Sequence, residues 1–287
     1  MGWSYWSTST TQKPLGFPES KLYFKSFKRK AQYAFFIPRG VTKTPKVAGS
    51  VISDLFCVRN NSGWETYFEL LNIEGLINGD NSADSKSEAE IVFFDTNGEK
   101  VGSKVVEVGK FGRETLQLDK SFFPGVEKAA TFSVFHNKVS KSSDFQGSYL
   151  AERGYAGFKK SNAPIRGYVH GNLDAVAFSD QGIEMLGNQG IIRRSYQVQH
   201  PLRGPALYEF FISNPCRRSS QIVVETKGPT GKWSEIERFT LNPRGSRLWA
   251  IEKNDSEPTF VRVKSRLYLG RPVVFRAHGQ GIDVFHG

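Results

Sequence analysis

Two stretches of the chain repeat one another, and this repetition limits the possible folds more than any other feature of the sequence. EIVFFDTNGEKVGSKVVEVGKFGRETLQLDK runs from Glu90 to Lys120, and QIVVETKGPTGKWSEIERFTLNPRGSRLWAIEK from Gln221 to Lys253. Ile91 matches Ile222. After a two-residue difference in the turn, Val108, Gly112, Leu116, Leu118 and Lys120 match Leu241, Gly245, Trp249, Ile251 and Lys253. Asn97-Gly98 in the first and Gly228-Pro229-Thr230-Gly231 in the second lie between alternating apolar runs, the sequence signature of a β-hairpin. The likeness extends outward. Tyr33–Gly40 resembles Tyr196–Gly204, Asp54–Asn61 resembles Glu209–Cys216, and Ala129–Asn137 resembles Arg271–Gly279.

Period-two alternation of β-branched and aromatic residues dominates both copies, and helical periodicity is scarce. Short strands punctuated by Gly, Pro, Asn and Asp predict an all-β protein: two tandem antiparallel β-sandwich, jelly-roll-like domains from an internal duplication. The expected boundaries are a basic aromatic N-terminal arm over 1–31, a first sandwich over 32–137, a linker with a short helix near 142–154 over 138–160, and a second sandwich with added strands over 161–287. The chain of 287 residues is long enough to bury such cores without help from disulfides or metals. Its two cysteines exclude a disulfide framework or a multi-cysteine metal site. Cys57, in DLFCV, reads as a small buried hydrophobe, and Cys216, after Asn214-Pro215, as a turn residue open to solvent. The polar loop over 73–87 reads as a sandwich rim where ligands are met.

The net charge of +11 is uneven. Residues 1–50 hold nine Lys and Arg against one acidic residue, the middle of the chain is slightly acidic, and residues 161–287 hold 13 Arg but only 4 Lys. The densest basic run, SKLYFKSFKRKAQY, mixes Lys21, Lys25, Lys28, Arg29 and Lys30 with Tyr23, Phe24 and Phe27. It suits self-assembly contacts through residues 1–31 or an acidic protein face, and nucleic acid only without the support of a motif. Guanidinium is a planar fork suited to carboxylates and hydroxyls, so the Arg-rich second half is the better place to recognise an anion. No run reaches the about 18 apolar residues of a membrane-spanning helix, and MGWSYWSTSTTQKPLGF lacks a signal-peptide order. The sequence therefore predicts a cytoplasmic chain.

Ile212-Ser213-Asn214-Pro215, Gln221–Thr226, Asn242-Pro243-Arg244-Gly245 and Arg271–Phe275 together resemble the small β-sandwich of the sensory rhodopsin transducer family. The resemblance covers the repeats only; the arm and residues 138–194 have no counterpart in it. It implies a non-enzymatic binding or transducing module whose sandwich is similar to carbohydrate-binding folds.

Catalytic signatures are missing from the sequence: no phosphate-cradling loop, no GxSxG elbow and no Cys/His cluster. No cofactor is implied. His278, Asp283 and His286 form a two-His-one-carboxylate set if the tail folds back, but terminal residues are weak metal ligands. Arg166, Tyr168, His170, Asn172 and Asp174 alternate, which on a strand places an aromatic ring and forked donors and acceptors on one face, as a sugar site requires; an ordinary wet sheet face has the same pattern. Arg262, Lys264 and Arg266 alternate with apolar residues and continue through Arg271 and Arg276. Such cations need neutralising, either by Glu235, Glu237 and Glu252 or by an anionic partner. The leading expectation is a non-enzymatic β-sandwich protein binding an anionic glycan through Arg166, Tyr168, His170, Asn172, Arg262, Arg266 and Arg271. The alternative is a structural subunit of a virion or filament that uses the basic arm for subunit contacts. An enzyme using His170 with Asp174 has no motif behind it.

Overall fold

The computed structural model describes residues 41–47, 49–71, 87–109, 113–136, 154–228 and 231–287, the side chains of residues 87, 173 and 174 apart. The basic segment 1–31, nearly all of the 142–154 helix candidate and the polar loop before residue 87 lie outside the described residues. The described chain is all-β. Its strands are β1 (Val51–Cys57), β2 (Trp64–Leu71), β3 (Ser87–Phe94), β4 (Lys100–Val108), β5 (Arg113–Gln117), β6 (Thr131–His136), β7 (Tyr155–Lys160), β8 (Gly167–Val169), β9 (Asn172–Ser179) and β10 (Gly182–Met185). They continue as β11 (Gln189–Gln197), β12 (Ala206–Ser213), β13 (Ser220–Lys227), β14 (Trp233–Leu241), β15 (Ser246–Lys253), β16 (Phe260–Leu267), β17 (Val273–His278) and β18 (Gly281–His286). A 3-10 turn over Pro124–Lys128 interrupts them.

The strands pair antiparallel in four sheets, ordered β10-β9-β1-β6-β3-β4, β5-β2-β7-β8, β11-β16-β13-β14 and β15-β12-β17-β18. Adding ten to each strand number converts β1-β6-β3-β4 and β5-β2-β7-β8 into the other two sheets. Among the described strands only β9 and β10 have no counterpart. By strand order the central match of β3–β5 with β13–β15 is in place, whereas the outer sequence matches fall one strand out: Asp54–Asn61 covers β1 rather than β2, and Ala129–Asn137 covers β6 rather than β7. Residues 155–185, divided in the sequence between a linker and the second sandwich, pair instead with the early strands. β7 pairs with β2, β8 with β7, and β9 with β1.

Local chemistry explains the turn at the centre of the first repeat. Asp95 Oδ1 accepts from the backbone N–H groups of Asn97 and Glu99, and Gly98 adopts φ 87°, where a side chain is disfavoured. A Cβ on Gly98 would also lie 2.1 Å from the Pro243 carbonyl, so this turn can sit against the Asn242–Gly245 corner only as glycine. The Ser246 N–H then donates to the Thr96 carbonyl at 2.9 Å, joining the two repeats.

One core lies between β5-β2-β7-β8 and the six-stranded sheet, where Phe56 stands 5.0 Å from both Phe68 and Phe132. The other lies between β11-β16-β13-β14 and β15-β12-β17-β18, with Phe210 stacked 5.1 Å from Trp249. Sheet β15-β12-β17-β18 serves both. Period two turns Tyr208, Phe210, Ile212 and Val274 into the second core and Phe211, Val273 and Phe275 into the first. Phe275 stands 5.2 Å from Trp64 and 4.9 Å from Phe158. Among these rings Glu209 is buried, and it accepts from Arg59 Nη2 at 2.5 Å and Trp64 Nε1 at 2.9 Å. Losing either donor would strand a buried charge.

Candidate ligand-binding face

Sheet β5-β2-β7-β8 has one face in the first core and the other in solvent. In β2, Trp64, Thr66, Phe68 and Leu70 point inward, so Glu65, Tyr67 and Glu69 point out. Register sets the neighbours. Tyr67 lies between Gln117 of β5 and Gly157 of β7, Gly157 faces Tyr168 of β8, and Glu69 lies between Thr115 and Tyr155.

Glu69 is the hub of this face. It accepts from Arg113 Nε at 2.8 Å, Thr115 Oγ1 at 2.9 Å and Tyr168 Oη at 3.2 Å. Glu69 is buried, yet the Arg113 hydrogen bond, with help from Thr115 and Tyr168, outweighs that burial and holds its carboxyl below the ordinary range. Tyr168 reaches Glu69 by leaning across Gly157, where a Cβ would come within 2.7 Å of its ring. The guanidinium of Arg166 covers the Tyr67 ring at 3.8 Å. Beneath it the Tyr67 hydroxyl donates to Glu65 Oε2 at 2.6 Å, and burial followed by that carboxylate pushes the phenol above its ordinary range. Tyr155 and Tyr168 keep 51% and 42% of their surface in solvent, so two ring faces and the Arg113 and Arg166 forks are open to a ligand.

Arg166 and Tyr168 are therefore brought together, but the rest of the predicted stripe leaves this face. The alternation ends at Gly171, where a Cβ would meet Asp54 Cβ and the Leu55 carbonyl at 2.8 Å. There the chain passes from the sheet holding β8 to the sheet holding β9. His170 is half-buried, its ring 4.4 Å from that of His286, whose Nε2 lies 2.9 Å from the His170 carbonyl. Asn172 is buried and donates Nδ2 to Ser213 Oγ at 2.7 Å, which makes it a tie between β9 and β12.

Arg262 and Arg266 lie on another sheet, β11-β16-β13-β14, on its solvent side with Lys264. The carboxylate that neutralises Arg262 and Lys264 is none of Glu235, Glu237 and Glu252. Arg262 and Lys264 share Glu225, with Lys264 Nζ at 2.7 Å from Oε1, and Arg262 also covers the Trp233 ring at 4.1 Å. Burial works against the Glu225 charge, but the bonds from Lys264 and Arg262 outweigh it, and its carboxyl titrates below the ordinary range. Arg271 is half-buried near His286.

His278 Nε2 lies 3.3 Å from Asp283 Oδ2, which Arg276 also reaches at 3.1 Å, whereas His286 turns to His170. Among the described residues no group of three His, Cys, Asp or Glu is placed to hold a metal ion. Cys57 is buried as expected. Cys216 is buried too, against the expectation of exposure, and burial pushes its thiol up to about 12, well away from a reactive thiolate.

Tyr67, Glu69, Arg113, Thr115 and Tyr155 were not marked by the sequence pattern. The alternation WETYFEL announces an outward Glu65-Tyr67-Glu69 row, but which strands flank it is a matter of register. The chain matches no family model and no curated protein. Among the described residues no helix is long and apolar enough to cross a membrane.

Proposed function

We propose that the protein is a non-enzymatic binding protein for an anionic glycan, built from two repeated β-sandwich units. The shared strand order of the two halves supports the repeat. The outer face of β5-β2-β7-β8 supports the ligand class, and the arrangement around Glu69 carries the reading. Two solvent-facing tyrosine rings offer flat surfaces to the apolar side of a sugar, and Arg113 and Arg166, fixed by Glu69 and Tyr67, present forks for carboxylate and hydroxyl oxygens. A sheet platform held by cross-strand hydrogen bonds needs little reordering on binding.

The test is calorimetric titration with uronic-acid oligosaccharides and matched neutral ones. Acidic oligosaccharides are expected to bind, with at least a tenfold loss, about 1.4 kcal/mol, in Tyr168→Ala and in Arg166→Ala. Binding of neither class, or binding indifferent to both substitutions, would overturn the assignment.

A second reading, an assembly subunit, is favoured by one observation. Strand β11 lies at a sheet edge and carries Ile191 and Ile192 at 68% and 79% exposure. Its counterpart β1 has that edge covered by β9. Open apolar edges invite pairing with another chain. Light scattering of the full chain and of an Ile191→Lys, Ile192→Lys variant tests it: a defined oligomer lost in the variant supports assembly, and two monomers dismiss it.

A further inference from the structure

Where the two halves of the molecule meet, a hollow of about 320 Å³ opens beside the β1–β2 turn. It lies apart from the tyrosine face and none of the residues proposed for the glycan line it. Its walls have two characters. Val58, Val126, Ala129, Ala130, Phe211 and Leu248 supply apolar surface, and Arg59, Lys128 and Arg247 supply three cations. The one carboxylate in the lining, Glu127, is paired with Lys120 at 2.7 Å, and Arg247 is paired with Glu237 at 2.6 Å. Among the described residues Lys128 has no ion-pair partner.

Two of the residues that line it carry a buried polar atom without a hydrogen-bond partner. Arg59 is 3% exposed, and although it serves Glu209 and the Asn61 carbonyl, its Nε has no hydrogen-bond partner. Ser246 is 5% exposed and its Oγ is likewise without a partner. Buried polar atoms are nearly always satisfied, and a charged donor left without an acceptor is the costliest exception. A concave pocket of this size, with apolar surface on one side and a few converging polar groups on the other, can hold a small molecule.

We propose that this hollow binds a small organic carboxylate with an apolar body. The apolar part would lie on Phe211 and Leu248, and the carboxylate would accept from Arg59 Nε and Ser246 Oγ with Lys128 at the mouth. The sequence hides the site because its walls come from residues 58–61, 96, 126–130, 211 and 246–248, which only the packing of the two halves brings together.

Phenylacetate serves as the probe, with 2-phenylethanol as its neutral counterpart, and the readout is the Nε–H resonance of Arg59 in the full-length ¹⁵N-labelled protein. Phenylacetate is expected to shift that resonance saturably and 2-phenylethanol to leave it in place. Lys128→Glu, at an exposed position, should weaken the response at least tenfold, and Ala129→Trp, which fills the hollow from its rim, should abolish it. Tyr168→Ala should leave it unchanged, so failure here and failure of the glycan assignment are separable. Equal binding of the two probes, absence of a saturable shift, or an unaltered response in Ala129→Trp would each overturn the proposal and leave a water-filled hollow.

Discussion

The outer faces of β1-β6-β3-β4 and β11-β16-β13-β14 occupy the same place in the strand order and carry opposite chemistry. Matching Ile91 with Ile222 aligns Val92 with Val223 and Phe94 with Glu225. Cross-strand register then aligns Thr131 with Arg262 and Ser133 with Lys264, and the next outward pair is Phe135 with Arg266. In the first sheet Val92, Phe94 and Phe135 are fully buried in a third cluster with Leu55, Ala175, Val176 and Met185, and Phe178 of β9 stands 5.2 Å from Phe135. In the second, Arg262 and Lys264 converge on Glu225 and Arg266 is exposed. Inward residues stay apolar in both halves because each closes a core. The outward residues are free to vary, and they decide whether an added hairpin can cover the sheet: β9 and β10 bury apolar area on the first, where the second would require desolvating three cations.

The most damaging way to break this contrast is to give the first face the chemistry of the second. Phe135→Arg removes a fully buried ring and places a charge under β9 and β10, opposite Glu90 of β3, a carboxylate already engaged with Lys100 at 3.8 Å. A loss of about 3–5 kcal/mol is expected from the ring alone, with the cost of desolvating the guanidinium adding to it. Urea unfolding measures the total, and hydrogen exchange locates it. A loss below about 1 kcal/mol, or one that spares β9 and β10, would show that the hairpin does not depend on that face.

Acid separates the charged face from the junction of the two halves. His286 is pressed against His170 where β18 meets β8, and burial, with Arg271 and His170 nearby, lowers its pKa from 6.5 to about 4. A histidine whose folded pKa lies below its unfolded value takes up protons on unfolding. Its contribution to stability is therefore complete above pH 6.5, declines as pH falls, and levels off below about 4. The full decline corresponds to about 3 kcal/mol. Glu225 declines in the same direction but over a lower range: held below 4.5, it contributes above that value and is lost only as pH falls through its lower folded pKa. Unfolding followed from pH 7 to 3 should show the junction weakening first. His286→Phe should flatten the upper part of the curve, and an unchanged profile in that variant would place the acid sensitivity elsewhere.

The sequence carried the architecture to the extent that cores constrain it. The all-β character, the Asn97-Gly98 turn and the inward alternation of apolar residues were legible because each follows from burial or local backbone chemistry. Relations between strands distant in sequence were not legible. Nothing in RGYVHGNLD announces that the chain changes sheets at Gly171, because what excludes a side chain there is the backbone of β1. Nothing near Glu209 announces Arg59, 150 positions away. The neutraliser of the Arg262 row was misplaced for a related reason. The unbroken register of β13 on β16 sets Glu225 opposite Arg262, whereas Glu235 and Glu237 on β14 go to Arg238 and Arg247. The tyrosine face was half legible: Arg166 and Tyr168 are local neighbours, but Glu69 joins them only through β7.

Glu225→Gln gives the smallest effect and the sharpest reading of the second face. The amide keeps the shape of the side chain and its one oxygen can still accept from Lys264 or Arg262, so packing is preserved while the charge and the second acceptor are removed. The two cations keep 22% and 32% of their side-chain surface in solvent, which screens much of what is lost, and a decrease of about 1 kcal/mol is expected at low salt. Raising the ionic strength should shrink the difference between wild type and variant, since counterions take over part of the neutralisation. A decrease of several kcal/mol that salt does not touch would mean that this face is held as rigidly as the buried one opposite. The contrast between the halves would then lie in polarity alone and not in exposure.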